Sequence, residues 1–504
     1  MDYEALLQKL PGVKAPVKRQ TFNQRLKWTG IILLSYFLLS DTFLLGVNPE
    51  RLAYFEQLAA LMGASMGSII TLGIGPIVSA SIILQLLVGA KVIDWDLSSH
   101  HGRVMFQGTQ KILAFSFAFI EAAAYTLFGA IDPVVHTSAM VLFVIAQLTI
   151  GGWLIIFMDE VVSKWGFGSG VSLFIAAGVS KQILIRSFSI LDTHSPGRFD
   201  GIIPGMFQEL VTGTPTLQNL LPYLLPILST LLVFLLVVYA QSMRVEIPLA
   251  FGSIRGFGRK WPLKFIYTNV MPVILTSAIL INLQVWGKML SDRGLPLLGT
   301  FTESGDISGG LMYFLTPPHS FAINMLSLSI LLSVMVGIII AYSIFKEKEY
   351  LIIAITTVAG VIVGTYMINT YSTLPTLMDM TRVFTYVSFY MVGCAVFSMF
   401  WVSTSGMDPK SVAKQIQSSG MQIPGFRRDP RVIERVLSRY IPPLAILGGA
   451  FVGFLSAFAD FSGSIVMGTG LLLTVMIIYQ LYEQLATQHL EDMHPMLRQF
   501  MQKT

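Results

Sequence analysis

The sequence predicts an all-α integral membrane protein, a polytopic helical bundle of about twelve spans. Three observations carry this. Hydrophobic residues fill 54% of the 504 positions and charged residues 12%, with a mean hydropathy of +0.68, whereas soluble domains carry roughly one-quarter charged residues. Apolar runs of spanning length recur along the whole chain. Residues 57–90 hold thirty-four consecutive positions without a charge, more than the ~20 that one straight span needs. That run is broken by Gly73-Ile74-Gly75-Pro76.

Residues 1–27 carry Lys9, Lys14, Lys18, Arg19, Arg25 and Lys27 with Pro11, and no small-residue cleavage site adjoins an apolar core. This stretch therefore reads as a cytoplasmic segment, not a removable signal peptide, and the first span, near 28–46, is itself the targeting signal. The charge-free run follows. Glycine loosens the backbone and proline removes a helical donor, so residues 73–76 divide the run into a short first piece and a full helix near 76–90. Irregular backbone at membrane depth persists only where protein or water covers it, because lipid cannot hydrogen-bond the freed amides. A cavity or pore is expected here. Further spans fall near 112–131, 138–158, 168–189, 222–243, 268–287, 321–345, 351–371, 383–402, 441–461 and 464–482, ahead of a tail at 486–504.

With the N-terminus in the cytoplasm and alternating spans, 26 of the 33 Lys and Arg residues face the cytoplasm, as the positive-inside bias requires. Both termini are then cytoplasmic. The sole cysteine, Cys394, lies within an apolar run, which excludes an intrachain disulfide and a multi-cysteine metal site. An internal repeat is also visible. PIVSASIILQLL from residue 76 and PVILTSAILINL from residue 272 share the proline, Ser81/Ser277, Ile83/Ile279, Leu84/Leu280 and Leu87/Leu283. Each would be the second span of its half, so two facing, proline-started helices would line a central path.

Six motifs occur in order: GIGPIVSASIILQLL from residue 73, GSGVSLFIAAG from 168, MRVEIP from 243, GMDPK from 406, RYIPP from 439 and GTGLLLT from 468. On them the chain resembles the SecY family of protein-conducting channels, most closely the archaeal members and their counterparts in the endoplasmic reticulum. The resemblance covers residues 1–290 and 382–504. It implies two pseudo-symmetric halves of five helices around an hourglass pore, a plug made by the first piece of helix two, a lateral gate toward lipid, and no cofactor. It implies as partners two small single-span subunits of the SecE and Sec-beta types, the ribosome, signal peptides, nascent polypeptides and the lipid bilayer. The function implied is the central subunit of a channel that passes unfolded secretory polypeptides and releases transmembrane segments into lipid. The location implied is an archaeal plasma membrane, or the endoplasmic reticulum membrane in a eukaryote.

By resemblance, Ile74, Val78, Val171, Ile175, Ile274 and Leu473 match the pore ring. Apolar side chains at a constriction expel water and seal against ions, yet they part around a chain of any sequence because they make no specific bonds. The 74/78 and 171/175 spacings put each pair on one helix face. Residues 52–68 match the plug, centred on Leu61, Met62, Gly63, Ala64, Ser65, Met66 and Gly67, whose many small side chains permit close seating with little to hold it. Glu121, nearly alone as an ionisable group within a span, matches the gate glutamate, with Ser79 and Asn282 as polar partners. The basic connections 244–264 and 403–440 each carry a net charge of about +4, and positive loops attract RNA phosphates. In the family such loops meet the ribosome, through positions matched by Arg255, Arg259, Lys260, Arg427 and Arg428.

The domain plan is a cytoplasmic segment 1–27, an N-terminal half 28–190, the start of a C-terminal half at 222–290, an inserted hairpin within 291–381, and the rest of that half at 382–485. The insertion departs from the family pattern: two charge-free runs, 321–345 and 351–371, flank Lys346 and Lys348, which places both lysines inside. The rival reading is a twelve-span secondary transporter, but such proteins collect ionisable groups near the midplane. An intramembrane enzyme is disfavoured by the lack of H-E-x-x-H, a cysteine cluster or a nucleophile motif.

Overall fold

The computed structural model describes residues 10–18, 20–47, 62–95, 97, 99–128, 130–190, 199–213, 216–251, 258–292, 294–302, 307–318, 320–344, 349–371, 375–418, 421–422 and 430–493. Every expected span folds as a helix. In the N-terminal half these are α1 (Phe22–Ser40), α2 (Gly75–Gly89), α3 (His100–Leu127), α4 (Ser138–Trp165) and α5 (Gly170–Phe188). A short helix α6 (Ile202–Thr212) leads to α7 (Leu217–Ser242) and then α8 (Met271–Asp292). After α9 (Leu311–Phe314) come α10 (Phe321–Ile344), α11 (Glu349–Tyr371), α12 (Leu377–Thr404), α13 (Pro409–Ser418), α14 (Pro430–Phe461) and α15 (Gly468–Met493).

Among the described residues, seven helices are long and apolar enough to span a membrane unaided: α4, α5, α7, α8, α10, α12 and α14. The others fall short for local reasons. Helix α2 is brief because Gly73, at φ +52°, ends a run of turns just before Pro76 enters the first helical turn. Helix α3 opens on a polar segment containing Arg103, Gln107, Gln110 and Lys111, capped by Ser99, whose hydroxyl accepts the Gly102 N–H at 3.0 Å. Helix α12 starts with a capping box between Thr376 and Asp379.

Helices α1 to α5 pack on one another, as do α7, α8, α12, α14 and α15, and the two groups meet along two seams. On one side α2 lies against α8 and α12; on the other α5 and α1 lie against α15. The main apolar core runs through both groups. Helices α10 and α11 form a tight antiparallel hairpin, with α10 resting on α7 and α14. Residues 307–316 belong with the bundle: Arg382 donates to the carbonyls of Tyr313 and Thr316, and Thr385 to that of Phe314. The added spans proper therefore begin at Phe321.

At the end of the bundle that holds the basic connections, strand β1 (Arg244–Phe251) pairs antiparallel with β2 (Gly258–Lys264), from Arg244↔Lys264 to Ala250↔Gly258. A short pair, β3 (Thr300–Phe301) and β4 (Ile307–Gly309), lies in the α8–α9 connection. Strand β5 (Met421–Gln422) then adds to β1 through Ala250↔Gln422 and Phe251↔Met421. The two basic loops thus share one sheet. A second apolar core, Val412, Ala413 and Ile416 of α13 against Ile433, Leu437 and Ile441 of α14, supports the loops.

Candidate pore and gate

None of the six residues matched to the pore ring is more than 8% exposed, and all six belong to one continuous apolar cluster. Val78 and Ile274 are equivalent by position, each two residues after the proline that opens α2 or α8. To one side of them lies a cavity of about 550 Å³, with Val78, Val171 and Ile274 among its apolar lining and Ser81, Gln85, Arg103, Gln110, Asp159 and Lys414 among its polar lining. It lies at the basic end of the bundle, bounded by the ends of α12 and α13.

Residues 62–74 lead into Ile74 and pack against Ile175, two of the residues matched to the ring. They form a run of turns, where a piece of helix was expected; Leu61 and residues 52–60 lie outside the described residues. The positive φ of Gly63, Gly67 and Gly73 explains the turns. Met62, Gly63, Ala64 and Gly67 are buried, while Ser65 and Met66 are half-buried. The segment is seated on the ring itself: the Ile74 N–H donates to the Met62 carbonyl at 2.8 Å, and Gly63 lies against Phe174 and Ile175. Its far end is tied to the chain after α1, where the Leu44 N–H donates to the Gly67 carbonyl at 2.8 Å.

The three polar residues matched to the gate meet. The Ser79 hydroxyl on α2 donates to Glu121 Oε1 on α3 at 2.8 Å, and the Asn282 amide on α8 reaches Ser79 Oγ at 3.5 Å. Glu121 is buried, and its other oxygen faces Gly75 so closely that a methyl group there would stand 2.9 Å away. Toward the basic end, Gly89 of α2 abuts the Phe400 ring of α12. Toward the other end, the rings of Phe128 and Trp286 stand 6.1 Å apart.

The SecY family model matches residues 68–482. The chain is 45% identical to the protein translocase subunit SecY of Methanothermobacter thermautotrophicus, across 99% of its own length and 98% of the relative's. The chain belongs to the SecY family. Its fold matches a structure described as that of a protein conducting channel, with TM-score 0.78, 38% identity and coverage of 98% and 99% of the two chains. It also matches Sec61 in the canine ribosome-channel complex from the endoplasmic reticulum, with TM-score 0.75, 38% identity and the same coverage.

For this SecY-family chain the loop residues matched to docking are only partly described. Arg259 and Lys260 lie on β2, opposite Leu249 and Pro248 of β1, while Arg255, Arg427 and Arg428 lie outside the described residues. Sequence reasoning also passed over several polar groups in the spans. Glu121 is not alone, since Asp460 of α14 is buried and Asp159 of α4 holds the start of α5. Gln85 and Gln110 both donate to Ser81 Oγ, at 3.2 and 3.1 Å, joining α2 to α3. For Asp460 and Gln85 the signal was a polar group inside an apolar run, though not its role as a cap or link; Asp159 and Gln110 stand among other polar residues at a span's edge and gave no such signal.

Proposed function

We propose that this chain is the central subunit of a protein translocation channel, passing unfolded secretory polypeptides across a membrane and releasing apolar segments sideways into lipid. The observation that supports this is the burial of all six ring-matched residues in one apolar cluster, with a polar cavity lined by three of them and a segment, 62–74, packed closely against Ile175. The ring acts as a collar. Apolar side chains dewet the constriction at rest and can separate around an extended chain without discriminating among sequences. Residues 62–74 are the described part of a plug, whose withdrawal breaks few bonds. The Ser79–Glu121–Asn282 cluster is the latch of a lateral gate between α2/α3 and α8/α12.

Under this reading the cavity opens to the cytoplasm, both termini are cytoplasmic, and the membrane is an archaeal plasma membrane, as the archaeal relatives support. Single-span subunits of the SecE and Sec-beta types complete the channel. An apolar hollow of about 580 Å³ between α5, α7 and α15 offers one of them a seat away from the gate. The chain carries no enzymatic chemistry of its own. The test is reconstitution into vesicles with the small subunits: a nascent polypeptide should cross with no coupled solute uptake, and solute uptake without polypeptide passage would restore the transporter reading.

The ribosome is the proposed cytoplasmic partner, received by the sheet that joins the two basic loops. Arg427→Glu with Arg428→Glu should lower ribosome affinity about tenfold or more at physiological salt, with a shallower salt slope, while channel assembly stays normal. Unchanged binding across a salt series removes this loop from the contact.

A further inference from the structure

Helices α5 and α15 close the two halves, and they begin in the same way. Asp159, near the end of α4, accepts the Val171 N–H at 2.9 Å and also the Gly170 N–H. Asp460, at the end of α14, accepts the Thr469 N–H at 2.6 Å and also the Gly468 N–H. In each case one carboxylate from the preceding helix takes the first two amides of the next. Ser169, the residue before α5, makes no side-chain cap of its own. Both helices open on glycine for the same steric reason: a methyl at Gly170 would stand 2.5 Å from Asp159 Cα, and one at Gly468 would stand 2.5 Å from the Asp460 nitrogen.

The distance from cap to ring is also shared. Ile175 lies five residues after Gly170, and Leu473 five residues after Gly468. Both are fully buried in the core cluster. Five residues correspond to roughly 7.5 Å of helix, and a slip of one residue moves a side chain about 1.5 Å in depth and about 100° in rotation. Such a slip would turn either side chain out of a ring that seals only by apolar contact. Amides at a buried helix start that lose their acceptor must shift or fray to find another.

We propose that Asp159 and Asp460 are a matched pair of positioning residues for the collar, one at each end of the bundle, fixing the depth and rotation at which Ile175 and Leu473 meet. This rests on reading the ring as a channel collar. The two caps differ in their bracing. Asp460 also receives the Tyr386 hydroxyl at 2.7 Å, and the following turn is pinned at Ile465 by Thr230 and Arg186. The turn before α5 is pinned as well, the Phe167 N–H donating to the Thr29 hydroxyl oxygen at 3.0 Å, but Asp159 faces the polar cavity and, among the described residues, receives no side-chain hydroxyl as Asp460 does, so its loss has the larger effect.

The test uses the complete channel complex in vesicles, reading ion leak at rest and polypeptide passage separately. Asp159→Ala should raise the leak several-fold and Asp460→Ala somewhat less; Asp159→Asn, which keeps one acceptor, should fall between Asp159→Ala and the parent. Glu160→Gln is the control, since Glu160 pairs with Lys111 at 2.7 Å and Lys164 at 2.6 Å at the same helix end; its leak should stay at the parent level. Combining Asp159→Ala with Ile175→Asn should add little to the leak of Ile175→Asn alone, because both act at one constriction. Where the alanine variants do not assemble, the asparagine variants decide. Parent-like leak from assembled aspartate variants, or equal leak from Glu160→Gln, overturns the proposal. Failure of the parent to pass polypeptide counts against the channel reading instead.

Discussion

The two seams between the halves are built differently. Along the back seam an arginine crosses near each end of the bundle: Arg25 of α1 donates to Gln488 of α15 at 3.2 Å, and Arg186 of α5 donates to the Ile465 carbonyl just before α15 at 3.2 Å. Along the gate seam, the side-chain hydrogen bond found between the halves among the described residues is Asn282 to Ser79, at the long limit of 3.5 Å; the stronger bond, Ser79 to Glu121, stays within the N-terminal half. Hydrogen bonds from charged groups contribute about 1.5–3 kcal/mol, whereas polar bonds between membrane helices average about 0.6 kcal/mol. Under the proposed lateral gate, opening by rotation about the back seam would break the weaker set and keep the stronger. The residues proposed as the collar come from both halves, Ile74, Val78, Val171 and Ile175 from one and Ile274 and Leu473 from the other, so under that proposal the same rotation parts them.

The largest expected effect is at the collar. Replacing Ile274 and Leu473 together with Asn should wet the constriction from one half alone and raise resting ion conductance many-fold. It should also relax the demand for a strongly apolar signal sequence, because the closed state is less favoured. Polar changes at Ile83, which is exposed, and at Ile279, which packs against the core, both outside the ring, should not produce the selective leak. Equal conductance from both sets would show that the ring is wrongly placed.

Next in size is the back seam. Arg25→Ala with Arg186→Ala should remove about 3–6 kcal/mol of inter-half hydrogen bonding if both bonds are made in the membrane. The outcome to look for is separation of the halves in detergent after one proteolytic cut between them, under conditions where the parent halves co-purify. Intact co-purification would make the arginines dispensable and leave apolar packing of α5 on α15 as the hinge.

Asn282→Ala is a smaller perturbation. Loss of about 0.6–1 kcal/mol shifts the open-to-closed ratio about three- to fivefold. Cysteines replacing Phe128 and Trp286 report this as slower disulfide trapping, and native Cys394 is buried and does not interfere. A shift as large as that of the collar variants would mean that Asn282 does more than latch.

How much of this was legible in sequence depended on range. The spans were legible because hydropathy is local, and Glu121 because a carboxylate in an apolar run has no cheap alternative to function or burial. Three features were not. The pairing of Ala250 with Gln422 joins residues far apart in the chain, and nothing in either loop's composition announces it. Residues 62–74 fold as turns through the positive φ of Gly63, Gly67 and Gly73, and which glycines of a run adopt that conformation depends on close approaches such as that of the Met62 carbonyl to Gly73, which sequence does not show. Asp159 and Asp460 looked like stray acids until the glycines they cap lay against them.

The smallest effect is expected from the α10–α11 hairpin, and it sharpens the comparison because the hairpin touches only one side of the bundle. Helix α10 rests on α7 and α14, not on α2, α3, α8 or α12 to any extent that could latch the gate. Among the described residues its polar link to the bundle is Ser327, whose hydroxyl donates to the Phe461 carbonyl at 2.6 Å, with Asn324 packed on Gly463. That turn follows Asp460 and precedes α15, so the hairpin braces the back-seam side. Replacing residues 321–371 with a short linker removes that hydrogen bond, worth about 1 kcal/mol, together with the packing of Ile323, Leu328 and Leu331 in the main core, and should lower the melting temperature without changing the gate. Ser327→Ala should reproduce only the hydrogen-bond share of that loss. Polypeptide passage and disulfide trapping across the gate should stay at parent levels, because the Arg382 clip to residues 313–316 remains. A change in gate trapping comparable to Asn282→Ala would show that the added spans act on both seams, and the asymmetry between them would then need another origin.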